Sequence, residues 1–326
     1  MKVLVVGGAG YVGGAVTDLL RERDYDVRVY DALLYEESYR KPVPFFYGDI
    51  RSREKLLPHL GWADAVVWLA ALVGDGACAL NPKITAEINH DGVKWLSENF
   101  DRRIIFTSTC SVYGAQETEL DESAPVHPLS IYAATKLEAE KYLERKNRIV
   151  FRLGTLFGIG DRFSRLRMDL VVNTLTARAS QHGKITVFGG EQFRPLLHVR
   201  DAARAIADNL ETSHVGTFNL IRQNVRIVDL AYQIRNHFPD LKIESTPMQF
   251  QDARNYRVNG RKAVDVLNFK PEVSIDDGIG EIKELLDSNR LRDIDNPRYT
   301  NQIYLKMFNT HQTGIVENES CGIASC

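Results

Sequence analysis

Cysteine is scarce in this chain of 326 residues, which contains only Cys78, Cys110, Cys321 and Cys326. No two of them form a CxxC pair, and no histidine cluster accompanies them at metal-ligand spacing. Disulfide frameworks and zinc sites both depend on such spacings. We therefore expect neither a disulfide framework nor a metal site in this protein.

Long apolar runs and an excess of one charge are also missing. The longest apolar stretch, residues 65–74, is about half of the roughly 20 residues that a membrane-spanning helix needs, and no charged-then-apolar leader precedes it. Basic and acidic side chains number 41 and 43, a formal charge of -2. We therefore expect neither a membrane nor a nucleic acid as partner, and we expect a cytoplasmic protein.

The chain does contain short β-branched segments that alternate with helical patterns. Residues 2–6 form a strand pattern, residues 11–23 show helical spacing of apolar residues, and residues 27–30 form a second strand pattern. The alternation continues to residues 149–153. Nearly all-apolar strands that alternate with helices are typical of a sheet covered on both faces. The pattern predicts an α/β fold built on a doubly wound parallel sheet.

The regularity weakens after Gly160, which predicts a second and smaller lobe. We assign residues 1–160 to the sheet domain, completed by parts of 185–220, and residues 161–184 and 221–290 to a smaller C-terminal α/β substrate lobe. Residues 291–326 are polar and irregular, so we expect a mobile or loosely docked C-terminal tail there.

Gly7, Gly10 and Gly13 stand at G-x-x-G-x-x-G spacing between the first strand and the first helix. Such glycines allow a tight turn, a close approach of the backbone to a pyrophosphate, and close packing of the helix on the strand. Asp31 ends the second strand, where a carboxylate can accept hydrogen bonds from both ribose hydroxyls and would repel a 2′-phosphate. The pattern predicts a dinucleotide site and favours NAD over NADP.

Tyr132 and Lys136 form a Y-x-x-x-K motif on a predicted helix, so both side chains leave the same face. A lysine ammonium beside a phenol favours phenolate, and we expect the tyrosine pKa to fall from about 10 toward the range of a useful general base. Thr109 lies at the carboxyl end of an apolar strand, which is where ligands bind in open α/β sheets. Thr109 therefore supplies a second hydroxyl beside that of Tyr132.

These motifs are similar to those of the extended short-chain dehydrogenases/reductases of the nucleotide-sugar epimerase and dehydratase kind. The match covers residues 1 to about 288 and also includes GDIR (48–51), WLAA (68–71), Asn89-x-x-Gly92, TSTCSVYG (107–114), FRLGTLFG (151–158) and RPLLHVRD (194–201). The resemblance implies a Rossmann-type fold, an NAD cofactor, a sugar-nucleotide substrate and a homodimer. It also implies that Thr109, Tyr132 and Lys136 are catalytic, with Tyr132 as the base.

The resemblance carries two sets of binding residues onto this sequence. The implied cofactor-binding residues are Gly7, Gly10, Tyr11, Val12, Gly13, Asp31, Asp49, Ile50, Leu69, Ala70, Ala71, Asn89, Tyr132 and Lys136. The implied substrate-binding residues are Val73, Thr109, Thr155, Asn173, Val187, Arg194 and Arg254. In the second set, both arginines would reach the diphosphate, since a guanidinium can bind phosphate through two hydrogen bonds. Arg162, Arg165 and Arg167 are interpreted as a solvated basic segment rather than as a substrate contact.

Two departures from the family pattern reduce the number of reactions that this protein is expected to catalyse. Dehydratases and decarboxylases of this kind carry a glutamate two residues after the catalytic threonine, where this chain has Ser111. The intervening Cys110 is interpreted as a packed small side chain. These positions disfavour dehydration and favour an epimerase that acts through transient oxidation at C4 of the sugar. The alternatives are a C4 dehydrogenase or ketoreductase of a nucleotide-linked hexose or heptose and, least favoured, a non-catalytic dinucleotide sensor.

Overall fold

The computed structural model describes residues 1–161, 163, 165–247 and 255–311. Its strands are β1 Lys2–Val6, β2 Asp26–Asp31, β3 Phe45–Tyr47, β4 Ala65–Trp68, β5 Arg103–Thr109, β6 Glu119–Leu120, β7 Arg148–Leu153, β8 Thr155–Phe157, β9 Lys184–Phe188, β10 Phe193–His198, β11 Gly216–Leu220, β12 Gln223–Arg226, β13 Lys242–Thr246 and β14 Arg257–Val258.

Its helices are α1 Tyr11–Glu22, α2 Arg53–Trp62, α3 Asp75–Ala79, α4 Pro82–Ala86, α5 Gly92–Asn99, α6 Ile131–Tyr142, α7 Val171–His182, α8 Val199–Asp208, α9 Ile227–His237, α10 Arg261–Leu267, α11 Ile275–Asp287 and α12 Asn301–His311. A π-helical turn at Glu87–Asp91 joins α4 to α5, and 3-10 turns occupy Cys110–Tyr113 and Pro297–Tyr299.

Seven parallel strands form the central sheet, in the order β11-β7-β5-β4-β1-β2-β3. The order reverses between β1 and β4, so the connections that leave these two strands run to opposite sides. Val6, the last residue of β1, is in register with both Tyr30 and Trp68. In open α/β sheets, ligands bind in the crevice that such a reversal opens at the carboxyl ends of the strands.

Apolar residues on both faces of the sheet account for this arrangement. Val3 and Val5 of β1 belong to one core cluster, whereas Leu4 and Val6 belong to another, because successive strand residues point to opposite faces. All seven residues of β5 are buried. The predicted α/β fold with a doubly wound parallel sheet is therefore confirmed.

The smaller sheets lie beyond the central one in the described part of the chain. Strand β10 pairs with β8 in parallel and with β12 antiparallel, β9 pairs with β13, and β6 pairs with β14. Strand β11 joins the central sheet beside β7, although its residues follow those of β9 and β10. The division into two lobes at about residue 160 stays a prediction.

Residues 291–311 differ from the loosely docked tail that we expected. Leu291 and Ile294 are buried in a core cluster with α7 and α11. Asn301, at the start of α12, is also buried, and its backbone N–H donates to Asp169 at 2.9 Å. These few buried side chains attach residues 291–311 to the rest of the protein, although the segment is polar on average. The rest of the expected tail, 312–326, lies outside the described residues.

Among the residues that the structure describes, no helix has both the length and the apolar character needed to cross a membrane.

Candidate cofactor and active site

A cavity of about 250 Å³ lies at the carboxyl ends of β1 and β4. Its wall contains eight of the predicted cofactor-binding residues, namely Gly7, Gly10, Asp31, Asp49, Ile50, Leu69, Ala70 and Ala71. These residues come from four separate strand ends, so the fold brings them together. The position agrees with the crevice predicted from the strand order.

The glycine loop is shaped to admit a ligand beside its backbone. Gly7 has a φ of 89°, and a Cβ there would come within 2.6 Å of the backbone nitrogen of Ala70. A Cβ on Gly13 would lie 2.2 Å from the carbonyl oxygen of Gly7. Gly10 lies in the cavity wall immediately before α1, where unpaired backbone N–H groups attract an anion. The loop therefore fits the pyrophosphate of a dinucleotide.

Asp31 lies in the same wall, at the end of β2. Its carboxylate accepts hydrogen bonds from the backbone nitrogens of Ala9 at 3.0 Å and Leu33 at 2.7 Å. Burial raises the pKa of Asp31, while these two hydrogen bonds act in the opposite direction. The backbone thus holds the carboxylate in a fixed position in the cavity, as recognition of a ribose requires.

Three further predicted cofactor residues are Tyr11, Val12 and Asn89. Tyr11 and Asn89 hold loops near the cavity by hydrogen bonds. The Tyr11 hydroxyl donates to the carbonyl of Gly158 at 2.6 Å, which ties α1 to the segment after β8. Val12 is half-buried on α1. The Asn89 side chain, in the π-helical turn, accepts from the Leu72 nitrogen at 2.8 Å and donates to its carbonyl at 2.9 Å. Asn89 therefore positions the loop that follows β4.

The predicted catalytic residues meet at the carboxyl end of β5. Thr109 ends β5, and Tyr132 and Lys136 lie one turn apart on α6, whose first turn is capped by the Ser130 hydroxyl. The Thr109 hydroxyl lies near enough to the Tyr132 phenol to lower its pKa. Thr109 also accepts from the backbone nitrogen of Ser111 at 3.1 Å. Two hydroxyls are thus held side by side on rigid elements.

The expected effect of Lys136 on Tyr132 is wrong for this structure. Burial raises the pKa of Tyr132, and the nearby Thr109 hydroxyl opposes this only in part. The Lys136 ammonium donates to the carbonyl of Thr107 at 2.9 Å, and burial lowers its pKa to about 8. Desolvation disfavours the charged form of both groups, and it outweighs the attraction that we predicted from their spacing.

Two further groups near Tyr132 were not assigned a role from the sequence. Asp75 and Cys78 both raise the pKa of Tyr132, although desolvation is the larger cause. The Asp75 carboxylate accepts from the Ser130 hydroxyl at 2.7 Å, which ties α3 to the start of α6. The Cys78 thiol donates to the Leu72 carbonyl at 3.3 Å, and burial raises its pKa to about 12. The sequence signal was their place in the loop 73–78, which we expected to face the substrate.

The residues Asn173 and Arg194, which we expected near the diphosphate, are both buried. Asn173 is buried, and its amide accepts from the Gly158 nitrogen at 2.8 Å and donates to the Arg167 carbonyl at 2.8 Å. Arg194 is buried on β10 and donates to the Phe193 carbonyl at 2.8 Å. The Asn173 amide therefore holds the backbone in this structure, and its contact with phosphate stays a prediction.

The remaining predicted substrate residues occupy separate elements. Thr155 is half-buried at the start of β8, and Val187 is buried on β9. The Val73 carbonyl accepts from the Asn301 side chain at 2.7 Å, so α12 is attached to the loop we expected to face the substrate. Arg254 lies outside the described residues.

Cys110 has the surroundings of a packed side chain. It is fully buried, its thiol donates to the Arg152 carbonyl at 3.2 Å, and burial raises its pKa. The neighbouring Ser111 hydroxyl lies 3.3 Å from the hydroxyl of Tyr256. Neither residue supplies the carboxylate that elimination would need, which agrees with the interpretation from the sequence.

The interpretation of the arginine segment as solvated is wrong for the two arginines that the structure describes. Arg165 and Arg167 are only 4% and 9% exposed. Arg167 pairs with Asp169 at 2.6 Å, and the Arg165 guanidinium stacks 3.5 Å from the centre of the Tyr35 ring. The partner of Arg167 is two residues away, whereas Arg165 is buried against Tyr35, which is distant in the sequence. Arg162 lies outside the described residues.

The glycine loop allows a test that separates binding from folding. We expect Gly10→Ala to weaken NAD binding about tenfold or more, because its methyl group would enter the cavity wall, while thermal stability stays close to that of the parent. Gly13→Ala should instead cost about 1–3 kcal/mol of unfolding free energy, since its Cβ meets the Gly7 carbonyl. NAD titration and thermal denaturation of both variants measure this. Equal affinity for NAD in Gly10→Ala and the parent would contradict the assignment.

Comparison with known proteins places this geometry in a family. The chain is 25% identical to a putative UDP-glucose 4-epimerase of Methanocaldococcus jannaschii over 88% of this chain and 99% of that protein. It is 26% identical to UDP-glucuronic acid decarboxylase 1 of Arabidopsis thaliana over 86% of this chain and 68% of that protein.

A solved structure and a family model agree with these relatives. The fold is shared with UDP-glucose 4-epimerase of Thermotoga maritima, solved with UDP-glucose, at a TM-score of 0.78 and 24% identity over 89% of this chain and all of that one. The sequence model of the NAD dependent epimerase/dehydratase family matches residues 3–220. The chain therefore belongs to the NAD-dependent epimerase/dehydratase family.

Proposed function

We propose that this protein is an NAD-dependent nucleotide-sugar epimerase that acts through transient oxidation at C4 of the sugar. The observation that carries the proposal is the hydroxyl pair of Thr109 and Tyr132 at the carboxyl edge of the sheet, without a carboxylate at positions 110 and 111. Hydride transfer at one carbinol needs a proton acceptor and a cofactor, whereas elimination needs a further acid or base. The relatives named as UDP-glucose 4-epimerases support this choice.

In the proposed mechanism, the deprotonated form of Tyr132 accepts the proton of the 4-hydroxyl and later returns it. Thr109, whose hydroxyl lies beside the Tyr132 phenol, would orient the same 4-hydroxyl. Lys136 is held by the Thr107 carbonyl and supplies positive charge beside the site while it remains protonated. Gly7, Gly10 and Asp31 in the cavity wall would hold NAD, which when bound would supply the hydride acceptor for C4 and the donor to the opposite face of the sugar ring.

We further propose that the substrate is a sugar linked to a nucleoside diphosphate. Arg194 is the buried guanidinium assigned to the diphosphate, with Arg254 as a second contact. Relatives whose names specify UDP-sugars make UDP-hexoses the first compounds to test. Thr155, in place of an asparagine common in UDP-hexose 4-epimerases, argues for testing other nucleotides as well.

A product assay tests this function. The purified protein, supplied with a catalytic amount of NAD, is incubated with UDP-glucose, UDP-galactose and UDP-glucuronic acid, and products are followed by NMR together with NADH absorbance. We expect interconversion of C4 epimers with no net NADH. Accumulation of NADH in proportion to product would establish a dehydrogenase instead, and release of carbon dioxide or a 4-keto-6-deoxy sugar would establish a decarboxylase or dehydratase. The Tyr132→Phe variant is the control for contaminating activity.

A homodimer and a cytoplasmic location are also part of the proposal. Both rest on the resemblance to the family. The helices we expect at the subunit contact are α5 with its preceding turns and α6, which pack against each other within one subunit.

A further inference from the structure

Arg165 is a buried guanidinium in the wall of the cofactor cavity. It is 4% exposed and lies in the same wall as Gly7, Gly10 and Asp31. One N–H is satisfied, since Nη2 donates to the carbonyl of Arg298 at 2.9 Å. Its Nε is buried without a hydrogen-bond partner in the described part of the chain. A buried donor left unpaired costs free energy, so this group is suited to a polar ligand.

The structure fixes Arg165 from two sides. Its guanidinium stacks on the ring of Tyr35, which follows β2 and lies in the same cavity wall as Asp31. The Arg298 carbonyl belongs to the 3-10 turn Pro297–Tyr299, just before α12. Leu305 of α12 lies in the same cavity wall. The C-terminal segment therefore holds Arg165 in place and closes one side of the cavity.

The charge of Arg165 is not balanced by a carboxylate in direct contact. Arg167, its neighbour, is paired with Asp169 at 2.6 Å, and Asp169 also accepts from the backbone nitrogen of Asn301. Glu36 is half-buried in the same wall, but among the described residues no acid lies within ion-pair distance of Arg165. Burial lowers the pKa of Arg165 to about 10, so it remains charged at neutral pH.

We propose that Arg165 binds the diphosphate of the dinucleotide cofactor. A guanidinium stacked on an aromatic ring can direct its free N–H groups at phosphate oxygens with little loss of entropy. The ligand would lie between this cation and the N-terminus of α1, two positive features in one cavity. The proposal rests on the proposed dinucleotide function, and it adds a binding residue from outside the central sheet.

The test compares ligands with and without a diphosphate. Arg165→Gln and Arg165→Lys are titrated with NAD, ADP-ribose and adenosine by calorimetry or competition. For Arg165→Gln we expect NAD and ADP-ribose to bind about 10- to 100-fold more weakly, the worth of hydrogen bonds to a charged group, while adenosine affinity changes less than about twofold. Arg165→Lys should recover part of the loss, because it keeps the charge but not the fork of donors.

Arg298→Gln is the matched control. This variant also removes one positive charge, but it keeps the backbone carbonyl of residue 298 that accepts from Arg165. The Arg298 side chain instead pairs with Glu37 at 2.6 Å on the surface. We expect less than about a fivefold change for every ligand. Unchanged affinity of Arg165→Gln for ADP-ribose would overturn the proposal. An equal loss for adenosine would also overturn it, since that result assigns Arg165 to the shape of the cavity alone. Neither result would affect the epimerase proposal, because no turnover is measured.

Discussion

Replacement of Tyr132 by phenylalanine is expected to lower kcat by about 10²- to 10⁴-fold while affinity for NAD stays within about twofold. The phenol is the proposed proton acceptor, and it lies beside the Thr109 hydroxyl at the carboxyl end of β5. Removal of one oxygen leaves the ring and its packing in place. Steady-state kinetics with the substrate found in the product assay, together with NAD titration, measure both quantities.

Tyr142→Phe is the matched control for this experiment. Tyr142 ends the same helix and its hydroxyl lies 3.2 Å from Nε2 of His90, away from the predicted catalytic residues. Like Tyr132→Phe, this variant loses a phenol oxygen from α6. Because that oxygen lies away from the proposed site, we expect less than about a threefold change in kcat. If Tyr132→Phe and Tyr142→Phe reduce kcat equally, the proton acceptor must be another group.

The pH profile gives a second readout of the same role. Burial raises the pKa of Tyr132, so the deprotonated form that accepts a proton becomes more populated as pH rises. The rate of the parent enzyme should therefore increase from neutral pH toward pH 8, near the pKa of Lys136. The residual rate of Tyr132→Phe should lack this increase. A parent rate that falls over this interval would contradict the assignment.

Replacement of Arg152 by methionine is expected to lower the free energy of unfolding by about 3–5 kcal/mol. Arg152 on β7 forms two-point contacts with Glu140 on α6, the shortest at 2.7 Å, and both side chains are 8% exposed. Glu140 also accepts from the Ser108 hydroxyl at 2.5 Å, and Arg152 donates to Tyr113 at 2.9 Å. Loss of the arginine would leave a buried carboxylate without its cation. Denaturation by urea measures the change.

An exposed ion pair on the same helix is the control. Lys141 and Glu138 lie 2.5 Å apart, but both are more than 40% exposed. Lys141→Met should therefore change stability by about 1 kcal/mol or less. The double variant Arg152→Met/Glu140→Leu should recover part of the loss, since it removes both buried charges. Equal destabilisation by Arg152→Met and Lys141→Met would show that burial of the pair is not the cause.

The Arg152–Glu140 pair also matters for the proposed active site. Glu140 lies one helical turn after Lys136, which itself lies one turn after Tyr132. The pair joins α6 to β7, and Ser108 joins it to β5. Because the proposed site depends on the position of Tyr132 against Thr109, the buried pair holds the helix at the required distance from the strand.

The fold and much of the cofactor cavity could be predicted from local patterns. Gly7, Gly10 and Asp31 each stand next to a strand whose apolar character is visible in the sequence, and all three lie in one cavity wall. The Y-x-x-x-K spacing also correctly placed Tyr132 and Lys136 one turn apart on a helix. Backbone sterics and side-chain periodicity act over a few residues, so a short window of sequence contains them.

The protonation properties of the same residues could not be predicted in this way. Spacing along α6 suggested that Lys136 would lower the pKa of Tyr132, but its ammonium donates to Thr107 on β5 and burial dominates both groups. Similarly, Cys78 is 54 residues before Tyr132 in the chain but close enough to influence it. Desolvation depends on everything packed around a group, and most of that is distant in sequence.

Local sequence was thus sufficient for the strand and helix alternation, the glycine loop and the placement of Tyr132 and Lys136 one turn apart, because each follows from contacts between near neighbours. The burial of Arg165 and Arg167 and the attachment of residues 291–311 were settled only by packing of the whole chain. Arg165 meets a carbonyl 133 residues further along, and no local pattern marks that contact. The charge state and the partners of a buried side chain are therefore properties of the tertiary structure.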